Sequence, residues 1–212
     1  MSAPRRSFTR DDPETRRAAL IGAALDLMAE DGPQAATVRA IADAAGLSQG
    51  MIRHYFSTKE ELINAAYQAH MEAQLTATRA SLPADGTAMA RLARIITVSL
   101  TPPVSDPRTL SLWAAFIHMI RRDPAMRATH ERNYLRFRDL LESLIVAACA
   151  ESGRPVSKEE ARRLAIACNA VLDGLWLEGG ALPEAFAPGE LEQIGMTSVS
   201  AILGLTLDCE AT

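Results

Sequence analysis

Residues 46–50 read GLSQG, the G-x-S-x-G pattern that presents a nucleophilic serine in many hydrolases, and residues 130–134 read HERNY, which opens like the zinc-binding H-E-x-x-H. Chemistry of either kind needs partners and a scaffold. A nucleophile elbow is fed by a buried strand whose strained turn exposes the hydroxyl, yet RAIADAA precedes Gly46, a composition that suits a helix. In the second stretch Tyr134 stands where the other imidazole belongs, and the histidines are scattered without ligand spacing. No P-loop or dinucleotide fingerprint is present. The chain therefore reads as a non-enzyme with no catalytic residue, no metal ligand and no cofactor. A serine hydrolase acting through Ser48 remains an alternative, which loss of hydrolysis in a Ser48→Ala variant would support.

Two other residue groups carry possible chemistry. Cys149, Cys168 and Cys209 are odd in number and lack metal-ligand spacing, which fits a reducing compartment; a thiol-based redox sensor using Cys149 or Cys168 is a second alternative. The aromatic residues gather in the C-terminal two thirds, at Trp113, Phe116, Tyr134, Phe137 and Trp176, and Asp173 precedes Trp176 by three residues, so both project from one helical face. A carboxylate beside aromatic faces is a receptor for an organic cation, each ring face contributing about 0.5–2 kcal/mol. Ile117 and Asn169 complete this candidate ligand set.

The elements that must position these residues are helices. Nearly every segment has the helical period, and β-branched or aromatic runs bounded by turns are missing, so the fold class is all-α with about nine helices. Asp12-Pro13 opens the first helix and Gly32-Pro33 closes it. Thr37 caps VRAIADAA, Gly46 ends it in the left-handed conformation, Ser48 caps QGMIRHYF, and Ser57 with Glu60 forms an S-x-x-E capping box for the next. Longer helices follow over about 59–81, 87–100, 108–122, 124–149, 157–178 and 189–207, separated by proline- and glycine-bearing breaks. The formal net charge is −4, with the acidic excess beyond residue 59, while the first 17 residues hold Arg5, Arg6, Arg10, Arg16 and Arg17. No apolar signal core follows those arginines. The charge-free run from Gln193 to Leu207 is too short and too polar for a bilayer that needs about 20 apolar residues, so no membrane partner and a cytoplasmic location are expected.

A helix ending in Gly46 and another starting at Ser48 make a helix-turn-helix, whose second helix enters the DNA major groove. Gly50 allows close backbone approach. Gln49, Met51 and Arg53 offer an amide, an apolar tip and a guanidinium to base edges, while Ile52 and Phe56 face the core. Thr37, Arg39, Ser48, His54, Tyr55 and Lys59 complete the expected DNA-contacting set, with His54, Tyr55 and Lys59 placed for phosphate or sugar.

These residues resemble the TetR-type transcriptional regulators. The likeness runs from Arg16 to Leu62 through AALDLMAEDG, ATVRAIADAAGLS and GMIRHYFSTKEEL. Arg53 stands where most members carry a tyrosine, so that tyrosine's phosphate contact is not transferred to it. GMIRHYF, with LWAAFIHMIRRDP, NYLRFRDLLESL and VLDGLWLEGGAL, resembles the BetI-type branch of choline-responsive repressors. The resemblance implies a DNA-binding domain over 1–58, its residues 1–11 a flexible arm, and an effector-binding and dimerisation domain over 59–212. It implies a homodimer on double-stranded operator DNA, released by a small-molecule effector such as an organic cation. Two recognition helices about 34–36 Å apart would read a pseudo-palindrome, and a pendulum motion of the helix from Lys59 would break that spacing. The last two helices would form a four-helix bundle with those of a partner, through Leu164, Cys168, Val171 and Leu175 on one and Leu191, Ile194, Ser198, Ile202 and Leu205 on the other. Gly195, Ala201 and Gly204 would allow their close approach.

Overall fold

The computed structural model describes residues 12–207. The arm over 1–11, with Arg5, Arg6 and Arg10, and Cys209 lie outside the described residues. Within them the chain forms α1 (Pro13–Glu30), α2 (Val38–Ala44), α3 (Gln49–Tyr55), α4 (Lys59–Ala80), α5 (Ala88–Ser99), α6 (Pro107–Ile120), α7 (Pro124–Glu151), α8 (Lys158–Ala181), a 3-10 turn (Pro183–Ala185) and α9 (Glu190–Leu203), with no strand. Two compact units divide inside α4, between Ala66 and Tyr67. The first turns of α4, where Leu62, Ile63 and Ala66 are buried, thus belong to the first unit.

In that unit the helix ends follow from local chemistry, and three details differ from the sequence reading. Thr37 caps α2 by accepting from the Ala40 N–H at 3.1 Å. At the other end Gly46 has φ +66, the Leu47 N–H reaches the Ala42 carbonyl at 2.9 Å and the Gly46 N–H reaches that of Asp43 at 3.1 Å, a Schellman motif. Ser48 occupies the N-cap of α3 with extended backbone, but its side chain makes no capping bond; the turn closes through its carbonyl, which accepts from Met51 N–H at 2.9 Å. Asp12 likewise caps α1 without a side-chain bond, Pro13 supplying the fixed φ at N1. The capping box of α4 is shifted by one residue: Thr58 accepts from the Glu61 N–H at 3.0 Å, and Glu61 reaches back to the Ser57 N–H at 2.7 Å. The N1 position of α4 is Lys59, so the third helical residue, where the box needs its carboxylate, is Glu61 rather than Glu60.

The second unit is built on α5, α7, α8 and α9. α7 packs against α5 and α8, α9 against α8 and α5, and α6 against α8 and α7. Ile95, Ile96, Leu141, Ile145, Val199 and Leu203 are buried at its centre, each such side chain stabilising the fold by about 1.5–3 kcal/mol. Gly195 is an inward feature of this core. A Cβ there would lie 2.5 Å from Leu100 Cδ1 and 3.3 Å from Ile96 Cγ2, so its smallness serves the approach of α9 to α5 within the chain. Gly204 ends α9 in the left-handed conformation at φ +63, which is the reason for its glycine. No described helix is long and apolar enough to cross a membrane.

Candidate DNA-reading surface and effector cavity

In the first unit, burial divides the residues of α3 by face. Ile52 and Phe56 are 2% exposed and hold the helix to the unit, and the Arg17 guanidinium lies over the Phe56 ring at 5.2 Å. Gln49, Gly50, Arg53 and His54 are exposed, with Met51 and Tyr55 half-buried. His54 and Tyr55 meet edge to face at 5.0 Å, which stiffens the end of the helix. Arg39 is exposed on α2 and pairs with Asp43 at 3.7 Å, and Thr37 and Ser48 are exposed at the two N-caps. Lys59 is half-buried at the first position of α4. An exposed amide, guanidinium and imidazole on a two-turn helix following a tight turn form the hydrogen-bonding set that a major groove accepts.

The second unit encloses a cavity of about 140 Å³. Trp113 on α6, His130, Tyr134 and Phe137 on α7, and Asp173 and Trp176 on α8 line it, with Tyr67, Met71, Gln74, Leu75 and Thr78 of α4 and Ser99, Val104, Asn133 and Leu172. Trp113 and Trp176 are T-shaped at 5.8 Å, and the Trp176 Nε1–H donates to the Val104 carbonyl at 2.7 Å, tying the α5–α6 connection to the cavity wall. A second ring series runs from Phe116 to Tyr67 at 4.6 Å, Tyr67 to His130 at 6.1 Å and His130 to Tyr134 at 5.3 Å. Tyr67 Oη and His130 Nδ1 share a 2.6 Å hydrogen bond. Burial lowers the His130 pKa, against the opposing pull of Asp173, which keeps the imidazole neutral near pH 7.

The single carboxylate of the lining is held firmly. Tyr134 Oη donates to Asp173 Oδ2 at 2.6 Å, and Asn169 Nδ2 donates to Tyr134 Oη at 2.6 Å and to the same Oδ2 at 2.9 Å. Desolvation raises the Asp173 pKa, the two hydrogen bonds and His130 pulling it back, while the residue as a whole keeps an exposed edge. Burial and the Asp173 contact push the Tyr134 hydroxyl up to about 12.

Five of the eight sequence-derived ligand candidates line the cavity: Trp113, Tyr134, Phe137, Asp173 and Trp176. Phe116 does not; it is fully buried behind Tyr67. Ile117 does not line it either, although it lies one turn along α6 from Trp113, and Asn169 lies behind the wall as a partner of Tyr134 and Asp173. Tyr67 and His130 escaped sequence reading: they lie 63 positions apart, and only the HERNY mismatch drew notice to the histidine.

The outward faces of α8 and α9 are mixed. Ile194 is 38% exposed and Leu177, unremarked in the sequence, 42%. Val171 and Ser198 are half-buried, and Leu164, Leu175, Leu191, Ile202 and Leu205 rest partly on their own core. Cys168 is a correction: it is fully buried inside its own unit, where α8 turns it inward together with Leu172, so it has no surface to offer a second chain. Burial and the neighbouring Cys149 push its thiol up to about 12, which works against thiolate formation. Cys149 is also fully buried.

With this geometry, comparison with known proteins is specific. Residues 88–204 match the family of BetI-type transcriptional repressor C-terminal domains, and residues 20–66 match the bacterial regulatory proteins of the tetR family. The HTH-type transcriptional regulator BetI of Proteus mirabilis is 31% identical over 196 residues, covering 91% of this chain and 94% of that protein. A crystal structure of a candidate transcriptional regulator from Pseudomonas aeruginosa PAO1 is 33% identical with a TM-score of 0.82, covering 93% of this chain and 95% of that one. The fold is shared, at 20% identity and a TM-score of 0.73, with a candidate regulator from Saccharomonospora viridis solved in complex with choline, over 86% of this chain and 94% of that one. The chain therefore belongs to the TetR family of DNA-binding transcriptional regulators, with a C-terminal domain of the BetI type, and is not an enzyme.

Proposed function

We propose that this regulator is a repressor that binds a pseudo-palindromic operator as a homodimer and is released by an organic cation, with choline the first candidate. The observation that carries the reading is the cavity lined by Tyr134, Phe137, Trp113 and Trp176, with Asp173 as its only carboxylate. Its volume of about 140 Å³ is close to the ~150 Å³ that accommodates a benzene-sized molecule, and choline is of that order. Ring faces attract a cation without needing its N–H groups, so a methylated ammonium loses little on leaving water for such a lining. The choline in the Saccharomonospora viridis structure is that protein's ligand and supports the same class here.

On the DNA side, Gln49, Met51 and Arg53 read bases, Thr37, Arg39, Ser48, His54, Tyr55 and Lys59 position the unit on the backbone, and Gly50 admits close approach. The partner surface joins the outward sides of α8 and α9, with Val171, Ile194, Ser198 and Ile202 central and Leu164, Leu175, Leu191 and Leu205 at its base. Repression ends by population shift: the effector binds a dimer of altered recognition-helix spacing more tightly than the DNA-bound one, and release can be no larger than that difference in affinity.

The test is fluorescence anisotropy on DNA from upstream of the protein's own gene, at fixed salt, with choline and its uncharged shape analogue 3,3-dimethylbutan-1-ol. Choline weakens operator binding and the neutral analogue does so at much higher concentration. Operator affinity that no cation changes removes the cation reading, and absence of salt-dependent binding to any DNA removes the repressor.

A further inference from the structure

We propose that Asn169 is the positioning residue of the cation site: its one amide nitrogen holds both Tyr134 and Asp173, and so fixes which carboxylate oxygen meets the ligand. This rests on reading the cavity as a cation site. Asn169 is 3% exposed on α8, four residues before Asp173, and is absent from the cavity lining. Its Nδ2 lies 2.6 Å from Tyr134 Oη and 2.9 Å from Asp173 Oδ2, and Tyr134 Oη donates to that same Oδ2 at 2.6 Å. The two amide hydrogens and the phenol hydrogen thus close a ring in which both bonds to the carboxylate fall on Oδ2. Asp173 Oδ1 takes no hydrogen bond from the described residues and keeps its capacity for a positive charge.

The amide orientation is dictated by this ring, since the reversed side chain would set its oxygen against Oδ2, acceptor to acceptor. The cost of that orientation is visible. Asn169 Oδ1 is buried with no hydrogen-bond partner, and an unpaired buried carbonyl destabilises a fold, whereas an apolar side chain of the same outline avoids the penalty. An asparagine that lowers stability at one atom while ordering two groups of a cavity is explained by the cavity.

The charged and titratable groups around Asp173 are few. From α7 they are His130 and Tyr134, with Arg138 acting on Tyr134; from α4 comes Tyr67 through its bond to His130; α6 contributes Trp113, which does not titrate. Losing the Asn169 bond therefore leaves Asp173 with desolvation opposed by Tyr134 and His130 alone.

The experiment uses full-length Asn169→Leu, which keeps the outline and removes both the donors and the orphan carbonyl, with Asn169→Ala as a second variant if the leucine does not fit. The Asp173 carboxyl carbon is titrated by NMR without ligand, choline affinity is read from tryptophan fluorescence, and melting is followed by circular dichroism. The expected result is a higher titration midpoint for Asp173, choline binding weaker by about tenfold or more, and a Tm equal to or above that of the parent. An unchanged Asp173 midpoint and unchanged choline affinity overturn the proposal, and a lowered Tm accompanying them marks Asn169 as structural only. A raised midpoint when neither parent nor variant binds choline keeps the clamp and removes the cation reading.

Discussion

Changing Asp173 to asparagine removes one negative charge and keeps the side-chain outline, so it isolates the electrostatic part of ligand binding. Opposite charges about 4 Å apart attract by about 4 kcal/mol at an effective dielectric of 20 and about 1 kcal/mol in bulk water. Asp173 keeps an exposed edge, which places its contribution between these limits, at about 1–3 kcal/mol, or roughly 5–150-fold in cation affinity. The ring faces of Tyr134, Trp113 and Trp176 remain, so weakened binding persists. The chain has only two tryptophans, and both line the cavity, so intrinsic fluorescence reports on this site alone. Titration of parent and Asp173→Asn with choline and with 3,3-dimethylbutan-1-ol should show a loss confined to the cation. Equal choline affinity in both proteins, or equal loss for the cation and the neutral analogue, refutes the electrostatic assignment.

Acidification should weaken cation binding, since desolvation raises the Asp173 pKa and the carboxylate neutralises above the usual aspartate range, while His130 gains its charge only below the ordinary histidine range. For the empty protein the signs are opposite: stability lost to ionised Asp173 returns as pH falls through its raised pKa, whereas the contribution of neutral His130 is lost as pH falls from the ordinary histidine range through its lowered pKa; the choline-induced rise in Tm should shrink as pH falls through the Asp173 pKa. Thr58→Ala should cost about 1 kcal/mol in a denaturant melt through loss of the α4 cap, whereas Ser48→Ala should change stability by no more than about 0.5 kcal/mol because Ser48 makes no side-chain cap bond. Arg53→Ala should weaken operator binding; a reduction of the salt slope by about 1 with all sequences affected alike assigns Arg53 to phosphate, and relaxed preference at one base pair assigns it to a base.

Local chemistry made much of this structure legible. Proline after a capping position, glycine at a left-handed terminus and threonine at an N-cap act within a few residues, so α1, α2 and the turn into α3 followed from sequence. The capping box slipped by one because Ser57 and Thr58 are both competent caps and two glutamates follow them; only the helix start distinguishes the pairs. Cavity residues with a neighbour on the same helix face, such as Asp173 and Trp176, were also within reach. Tyr67 and His130 were not, since their meeting depends on α4 packing beside α7. Phe116 and Cys168 failed for a related reason: periodicity finds an apolar stripe but does not say whether its residue looks into the core, a void or a second chain.

The two sides of α9 answer to different neighbours. Gly195, Met196, Val199 and Leu203 fill their own unit, while Ile194, Thr197 and Ala201 look outward, and Gly195 tolerates no added carbon toward Leu100 without movement. One inserted residue ahead of Ile194 would rotate everything after it by about 100°, carrying Ile194 toward the slot that only hydrogen now fills. The helix is therefore a phase-locked part: its outward letters answer to what it meets beyond its own unit, while its count is fixed from within.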